Sequence, residues 1–139
     1  MNPQLVDSIK QHEGFRSKAY LDSAGVWTIG FGTNLQVLSI SQDMAEEFLA
    51  SAIIKVEQAL SKTQTFNSLD EVRQSVLIEM GYQLGITGCL NFKKMWAALE
   101  NMDYWAAASE MLDSAWAKIQ TPKRAETLAA RMRDGTWTG

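Results

Sequence analysis

Glu13 and Asp22 are carboxylates nine residues apart, and Thr28 follows six residues later, in the run EGFRSKAYLDSAGVWTIGFGT from Glu13 to Thr33. Hydrolysis of a glycosidic bond needs one acid that keeps its proton, a second carboxylate that stays charged, and a group to hold a water. Glu13 could give a proton to a leaving oxygen if burial disfavoured its charged form. Asp22, at a turn, would stay ionised, and could activate a water or stabilise a cationic sugar, with Thr28 holding that water. Spacing alone leaves a plainer reading ahead. In it Glu13 pairs with an arginine for structure, Asp22 is a turn residue and Thr28 a strand former.

Other residues could take part. Arg124, in the first turn of the last helix, is either the partner of a buried, ionised Glu13 or a surface arginine. Tyr82-Gln83 ends a helix just before Gly85-Ile86-Thr87-Gly88, where an aromatic and an amide could line a cleft, or serve as a core tyrosine and a solvated glutamine. Trp27, Trp96, Trp105, Trp116 and Trp137 could stack on sugars, but five tryptophans in a small domain are more often core. Cys89 is the only cysteine, so no intrachain disulfide is possible, and it reads as a small buried residue rather than a nucleophile. His12 is the only histidine, and a histidine-ligated zinc site or a Ser-His-Asp triad would rest on it alone.

The elements that must position these groups follow from periodicity. Residues 3–13 predict a helix, with Pro3 in its first turn, Leu5, Ile9 and Glu13 at i, i+4, i+8, and Gly14 at its end. Glu13 then extends the apolar stripe. Residues 16–33 change to a hairpin pattern around Asp22-Ser23-Ala24-Gly25. If Asp22 pairs with Val26, Tyr20 faces Thr28, and Asp22 and Thr28 share a face. Gly30 and Gly32 keep the second strand thin, as a backbone close to a ligand or another chain requires. From Ser41 to about Leu60 a helical stripe returns, in a helix of about 30 Å. Lys62–Ser68 is polar and aperiodic and marks a lobe boundary. Ser68-Leu69-Asp70-Glu71 opens a helix to Leu84 with a capping-box pattern. Helices follow at about 91–100 and 103–113, and a last one from Thr121-Pro122 to near Gly135. The expected fold is α+β. It has a small N-terminal lobe (1–40) with helix 1–13 and a short antiparallel sheet, a long linking helix (41–61) and an all-helical lobe (62–139).

Composition narrows the class. The 139 residues suit one domain or two small lobes, and 46% apolar content is that of a globular chain. A net charge of −3 with interspersed signs gives no footprint for nucleic acid. No stretch reaches membrane-span length, and residues 1–13 have no secretory apolar core.

At these residues the chain resembles the lysozymes of T-even bacteriophages, glycoside hydrolase family 24. The likeness rests on Glu13-Gly14, Tyr20-Leu21-Asp22, Gly25 and Thr28-Ile29-Gly30-Phe31-Gly32 in the first half. In the second half it rests on Leu69-Asp70-Glu71-Val72-Arg73, Met80-Gly81-Tyr82-Gln83-Leu84-Gly85, Thr87-Gly88, Ser114-Ala115-Trp116, Gln120-Thr121-Pro122-Lys123-Arg124-Ala125 and Gly135-Thr136-Trp137. The resemblance implies a two-lobed lysozyme-like fold. It implies hydrolysis of the β-1,4 link between N-acetylmuramic acid and N-acetylglucosamine in peptidoglycan, with inversion and with no metal or organic cofactor. Glu13 then matches the general acid, Asp22 the second carboxylate, Thr28 the residue that positions water and Arg124 the support of the acid. Tyr82 and Gln83 match cleft residues, and Asn34 is a further candidate substrate contact.

The expected role is that of an endolysin. It would be a monomer with no stable membrane association, waiting in the host cytoplasm until a holin or similar protein opens the way to the wall. The alternative is a lysozyme-like domain that binds or scaffolds without catalysis. Three departures stand out. Thr33 replaces the histidine that usually follows Gly-x-Gly. Asn34–Ile40 is much shorter than the usual segment, so a third strand is expected to be short or missing. The polar cleft positions of the helical lobe fall on Met95 and Glu110, while Asn34 replaces an apolar residue.

Overall fold

The computed structural model describes residues 1–137. The chain divides into two compact units, Met1–Ala45 and Glu46–Gly139. Together they have the expected α+β, lysozyme-like composition, with helices throughout and one small antiparallel sheet.

In the first unit, helix α1 spans Pro3–Glu13. The Asn2 side chain accepts from the Gln4 N–H at its start, and Gly14 donates its N–H to the Lys10 carbonyl at its end. Both ends thus satisfy orphan backbone groups of a short helix. Strands β1 (Arg16–Leu21), β2 (Trp27–Gly30) and β3 (Thr33–Asn34) form an antiparallel sheet in the order β1-β2-β3. Tyr20 pairs with Thr28, and the Asp22 N–H donates to the Val26 carbonyl at 2.9 Å, which is the expected register. The third strand is present but only two residues long, with Asn34 opposite Thr28 and Thr33 opposite Ile29. One expectation fails here. α1 has no buried residue, and Leu5, Ile9 and Glu13 are all exposed. Its stripe of 3.6 period is real in sequence, but the sheet beside it is too small to cover it.

Helix α2 (Gln42–Leu60) starts at the end of the first unit, where Ser41 Oγ accepts from the Met44 N–H. Only Val56 and Leu60 of its stripe are buried, and Met44 and Phe48 stay exposed. The segment from Lys62 to Ser68, read as aperiodic, contains a short helix, α3 (Gln64–Asn67). Thr63 caps it, and it drives Phe66 into the core. Helix α4 (Glu71–Leu90) begins two residues later than the capping pattern suggested. Asp70, not Ser68, is the N-cap, its carboxylate accepting from the Arg73 N–H. Leu69 is buried instead of leading the helix.

The break expected after Leu84 is present but confined to Gly85, and 86–88 form no loop. Gly85 takes φ 80°, ψ 161°, and helical backbone resumes to Leu90. Helices α5 (Lys93–Glu100), α6 (Tyr104–Leu112) and α7 (Pro122–Asp134) follow, with a π-helical turn over Trp116–Gln120 before α7.

The core of this unit is rich in methionine. Met80, Met95, Met111 and Met132 are fully buried around Leu60, Leu77 and Leu128. Met95, which falls on a polar cleft position of the resembled family, is thus a core residue. The Cys89 thiol is also buried and is pushed up to about 12 by that burial, as expected for an inert structural cysteine. Of the five tryptophans, Trp116 is buried and Trp96 half-buried, while Trp27, Trp105 and Trp137 are exposed, against the core reading. Arg133 and Arg131 stand 5.0 and 5.3 Å from the ring centroids of Trp105 and Trp137, a cation–π contact that leaves both rings largely exposed.

Arg73 ties α4 to the end of α7. Its Nε donates to the Met132 carbonyl at 2.6 Å, one terminal nitrogen to the Arg133 carbonyl at 2.9 Å and the other to Asp70 at 3.0 Å. The C-terminal carbonyls of a helix have no partner within it, and a planar guanidinium can satisfy two at once. No helix among the described residues is long and apolar enough to cross a membrane.

Candidate active site

In the first unit the acidic residues stand on well-fixed backbone. Glu13 is the last residue of α1, and its side chain lies against Gly32, just before β3. A Cβ built on Gly32 would come within 2.7 Å of the Glu13 carboxyl carbon. Gly32 also has φ +75°, so both space and backbone call for glycine. The thin strand read from Gly30 and Gly32 thus accommodates a carboxylate of the same chain at one of the two positions, while nothing lies within 4 Å of a Cβ at Gly30. Phe15, two residues after Glu13, packs on Phe31 with ring centroids 5.5 Å apart, and Lys10 Nζ sits 5.5 Å over the Phe31 ring. These contacts hold the end of α1 against the end of the β2 hairpin arm.

Asp22 and Thr28 both hold Val26. Asp22 Oδ1 accepts from the Ala24 N–H at 2.8 Å and the Val26 N–H at 2.9 Å. The Thr28 hydroxyl donates to the Val26 carbonyl at 2.9 Å. Asp22 is half-buried, because its side chain folds back over its own turn. Oδ2 of Asp22 has no protein hydrogen bond among the described residues. Thr28 is 4% exposed. Its one hydroxyl proton is given to the backbone, so toward a water it can act only as an acceptor. Asn34, across from Thr28, uses Oδ1 to accept from the Gln36 N–H at 2.8 Å, an Asx turn in which its amide nitrogen has no hydrogen bond among the described residues.

In the second unit Arg124 and Tyr82 line one cavity of about 450 Å³, between Leu49 and Ile53 of α2, Ile78 of α4 and Trp137. Arg124, in the first turn of α7, donates from Nε to Glu79 Oε2 at 2.7 Å. Both side chains of this pair are 37% exposed. Glu79 is a residue that the sequence reading missed. It lies three residues before Tyr82 and four before Gln83, so the three share a face of α4, and that spacing was the available signal. Gln83 is turned inward. Its amide nitrogen donates to Thr121 Oγ1 and its oxygen accepts from Trp116 Nε1, each at 3.0 Å. It joins α4 to the π-helical turn and to the start of α7. Glu110 lines a separate cavity with Lys93, Lys94 and Asp113.

The family model described as Phage lysozyme matches residues 10–134. "Probable T4-type lysozyme 1" of Dictyostelium discoideum is 26% identical over 166 aligned residues, covering 98% of this chain and 97% of that protein. "Probable T4-type lysozyme 2" of the same organism matches at the same identity and coverage. "Endolysin" of Acyrthosiphon pisum secondary endosymbiont phage 1 is 33% identical over 114 residues, 80% of this chain and 77% of that protein. With its family match running from the end of α1 to the end of α7, the chain belongs to the phage lysozyme family.

Proposed function

We propose that the protein is a lysozyme of the endolysin type, hydrolysing the β-1,4 link between N-acetylmuramic acid and N-acetylglucosamine in peptidoglycan with inversion at the anomeric carbon. Family membership supports the reaction class. The observation that carries the assignment of roles is the grip of Asp22 and Thr28 on the two sides of Val26. It fixes a carboxylate and a hydroxyl oxygen relative to each other through one residue's backbone. Asp22 Oδ2 takes a proton from water, and the Thr28 oxygen accepts the water's other hydrogen. Glu13 donates to the leaving oxygen, and Arg124 supports that acid. Tyr82, Gln83 and Asn34 are proposed substrate contacts. Gln83 acts chiefly through the residues it braces, and Asn34 offers its free amide nitrogen.

An inverting enzyme leaves room for water between its carboxyl groups, which sets an expected separation of about 6.5–9.5 Å in the working state. The physiological reading that follows is host lysis by a monomer held in the cytoplasm until a holin admits it to the wall. The test is stereochemical. Proton NMR at early times on a defined glycan substrate should show the α-anomer as first product. A β-anomer as first product would refute inversion and the water-activating role of Asp22.

A further inference from the structure

The cavity lined by Arg124 and Tyr82 also holds the carboxylate of Glu79. Glu79 takes the Nε–H of Arg124 in a 2.7 Å hydrogen bond. A guanidinium has five N–H donors in a rigid plane, and this contact uses one. The two terminal nitrogens, with four donors, make no hydrogen bond to protein among the described residues. They are also the fork that pairs with a carboxylate bidentately. Fixing a guanidinium at Nε fixes its plane, because the group turns as one body.

The surroundings favour a defined geometry over a loose surface pair. Ile78 lies one residue before Glu79, the cavity walls are mostly apolar, and Tyr82 stands one turn further along α4. Both members of the pair are only 37% exposed. An arginine at the start of a helix would otherwise sample many rotamers, and that freedom would be lost on pairing.

We propose that Glu79 is a positioning residue for the lysozyme reaction: it holds Arg124 by Nε and leaves the terminal fork open for the acid that Arg124 supports. This rests on the reading given under Proposed function. A rigid guanidinium accepts a carboxylate without first losing its own freedom, so the effect belongs in turnover rather than in substrate affinity.

The test uses Glu79→Ala, which removes the acceptor, and Glu79→Gln, which keeps one. Peptidoglycan hydrolysis is followed for kcat and KM, and the Arg124 Nε–H is followed by nitrogen-15 NMR. Glu79→Ala should lose about tenfold in kcat with KM within about twofold, and the Nε–H should exchange faster. Glu79→Gln should restore most of both. If Glu79→Ala does not fold, Glu79→Met takes its place, filling the space without a charged acceptor. Wild-type kcat in the alanine or methionine variant, or an unchanged Nε–H, overturns the proposal while the lysozyme reading stands. A wild type that leaves peptidoglycan intact overturns the lysozyme reading, and the catalytic meaning of Glu79 falls with it.

Discussion

Asp22 and Asp70 show how one residue type serves two purposes, according to what its two oxygens meet. Asp22 spends one oxygen on its own turn and keeps the other, which suits a group that must act on a water. Asp70 spends both on Arg73, one on the backbone N–H and one on the guanidinium, which suits a cap. Burial pushes the Asp70 carboxyl up, but the hydrogen bonds and charge of Arg73 outweigh it and leave the group below its ordinary 3.8. A folded-state value below the unfolded one gives stability that is present above pH 3.8 and lost as pH falls through the folded value.

Asp70→Asn keeps the cap and loses the charge, and with 40% of the side chain exposed this should cost less than about 1 kcal/mol at pH 7. Asp70→Ala loses both, at about 1–2 kcal/mol. Urea unfolding at neutral pH and at about pH 3 should show the gap between wild type and Asp70→Asn closing in acid. A gap that holds constant would mean that the charge contributes nothing. Much at this scale was legible beforehand. The turn Asp22-Ser23-Ala24-Gly25 set the hairpin register, and with it Tyr20 opposite Thr28. Glu79 was legible only as a neighbour of Tyr82 and Gln83 on α4, because its partner is an arginine 45 residues away that no local spacing announces.

Helix α4 carries the clearest case at the scale of elements. Gly81 lies in mid-helix, where alanine is favoured by about 1 kcal/mol. A Cβ there would lie 2.7 Å from Val56 Cγ1 of α2, so the glycine allows α2 and α4 to pack closely. Overpacking a core contact costs about 1–3 kcal/mol, and we expect it to outweigh the propensity gain. Gly81→Ala should therefore lower the urea midpoint, and Val56→Ala in the same chain should restore part of the loss. A stabilised Gly81→Ala would show that the helices separate at little cost. Helix type and order were legible from the 3.6 period and from caps such as Pro122 and Gly135. Two features were not. The short helix α3 has too few residues for a period and is held by Thr63 and the burial of Phe66. The helical backbone after Gly85 was hidden because a glycine there interrupts the pattern whether or not the helix resumes.

For the molecule as a whole, the family match and the relatives named as lysozymes and endolysin set the reaction class. The described residues supply the carboxylates, the hydroxyl and the arginine on which that chemistry would depend. The second unit has a core of its own, built around Met80, Met111 and Met132, so substitutions in the first unit can be read for activity with little risk to it. Glu13 suits this purpose best, since its side chain is exposed and its exchange for glutamine keeps the shape while removing the acid function. The most direct test is the rate at which purified peptidoglycan is cleared by wild type and by Glu13→Gln at equal folded concentration. Wild type should clear it, and Glu13→Gln should be slower by at least about 10²-fold, the contribution expected of a general acid. Equal clearing by the two proteins would contradict the catalytic account, and no clearing by wild type would point to a domain that binds the wall without cutting it.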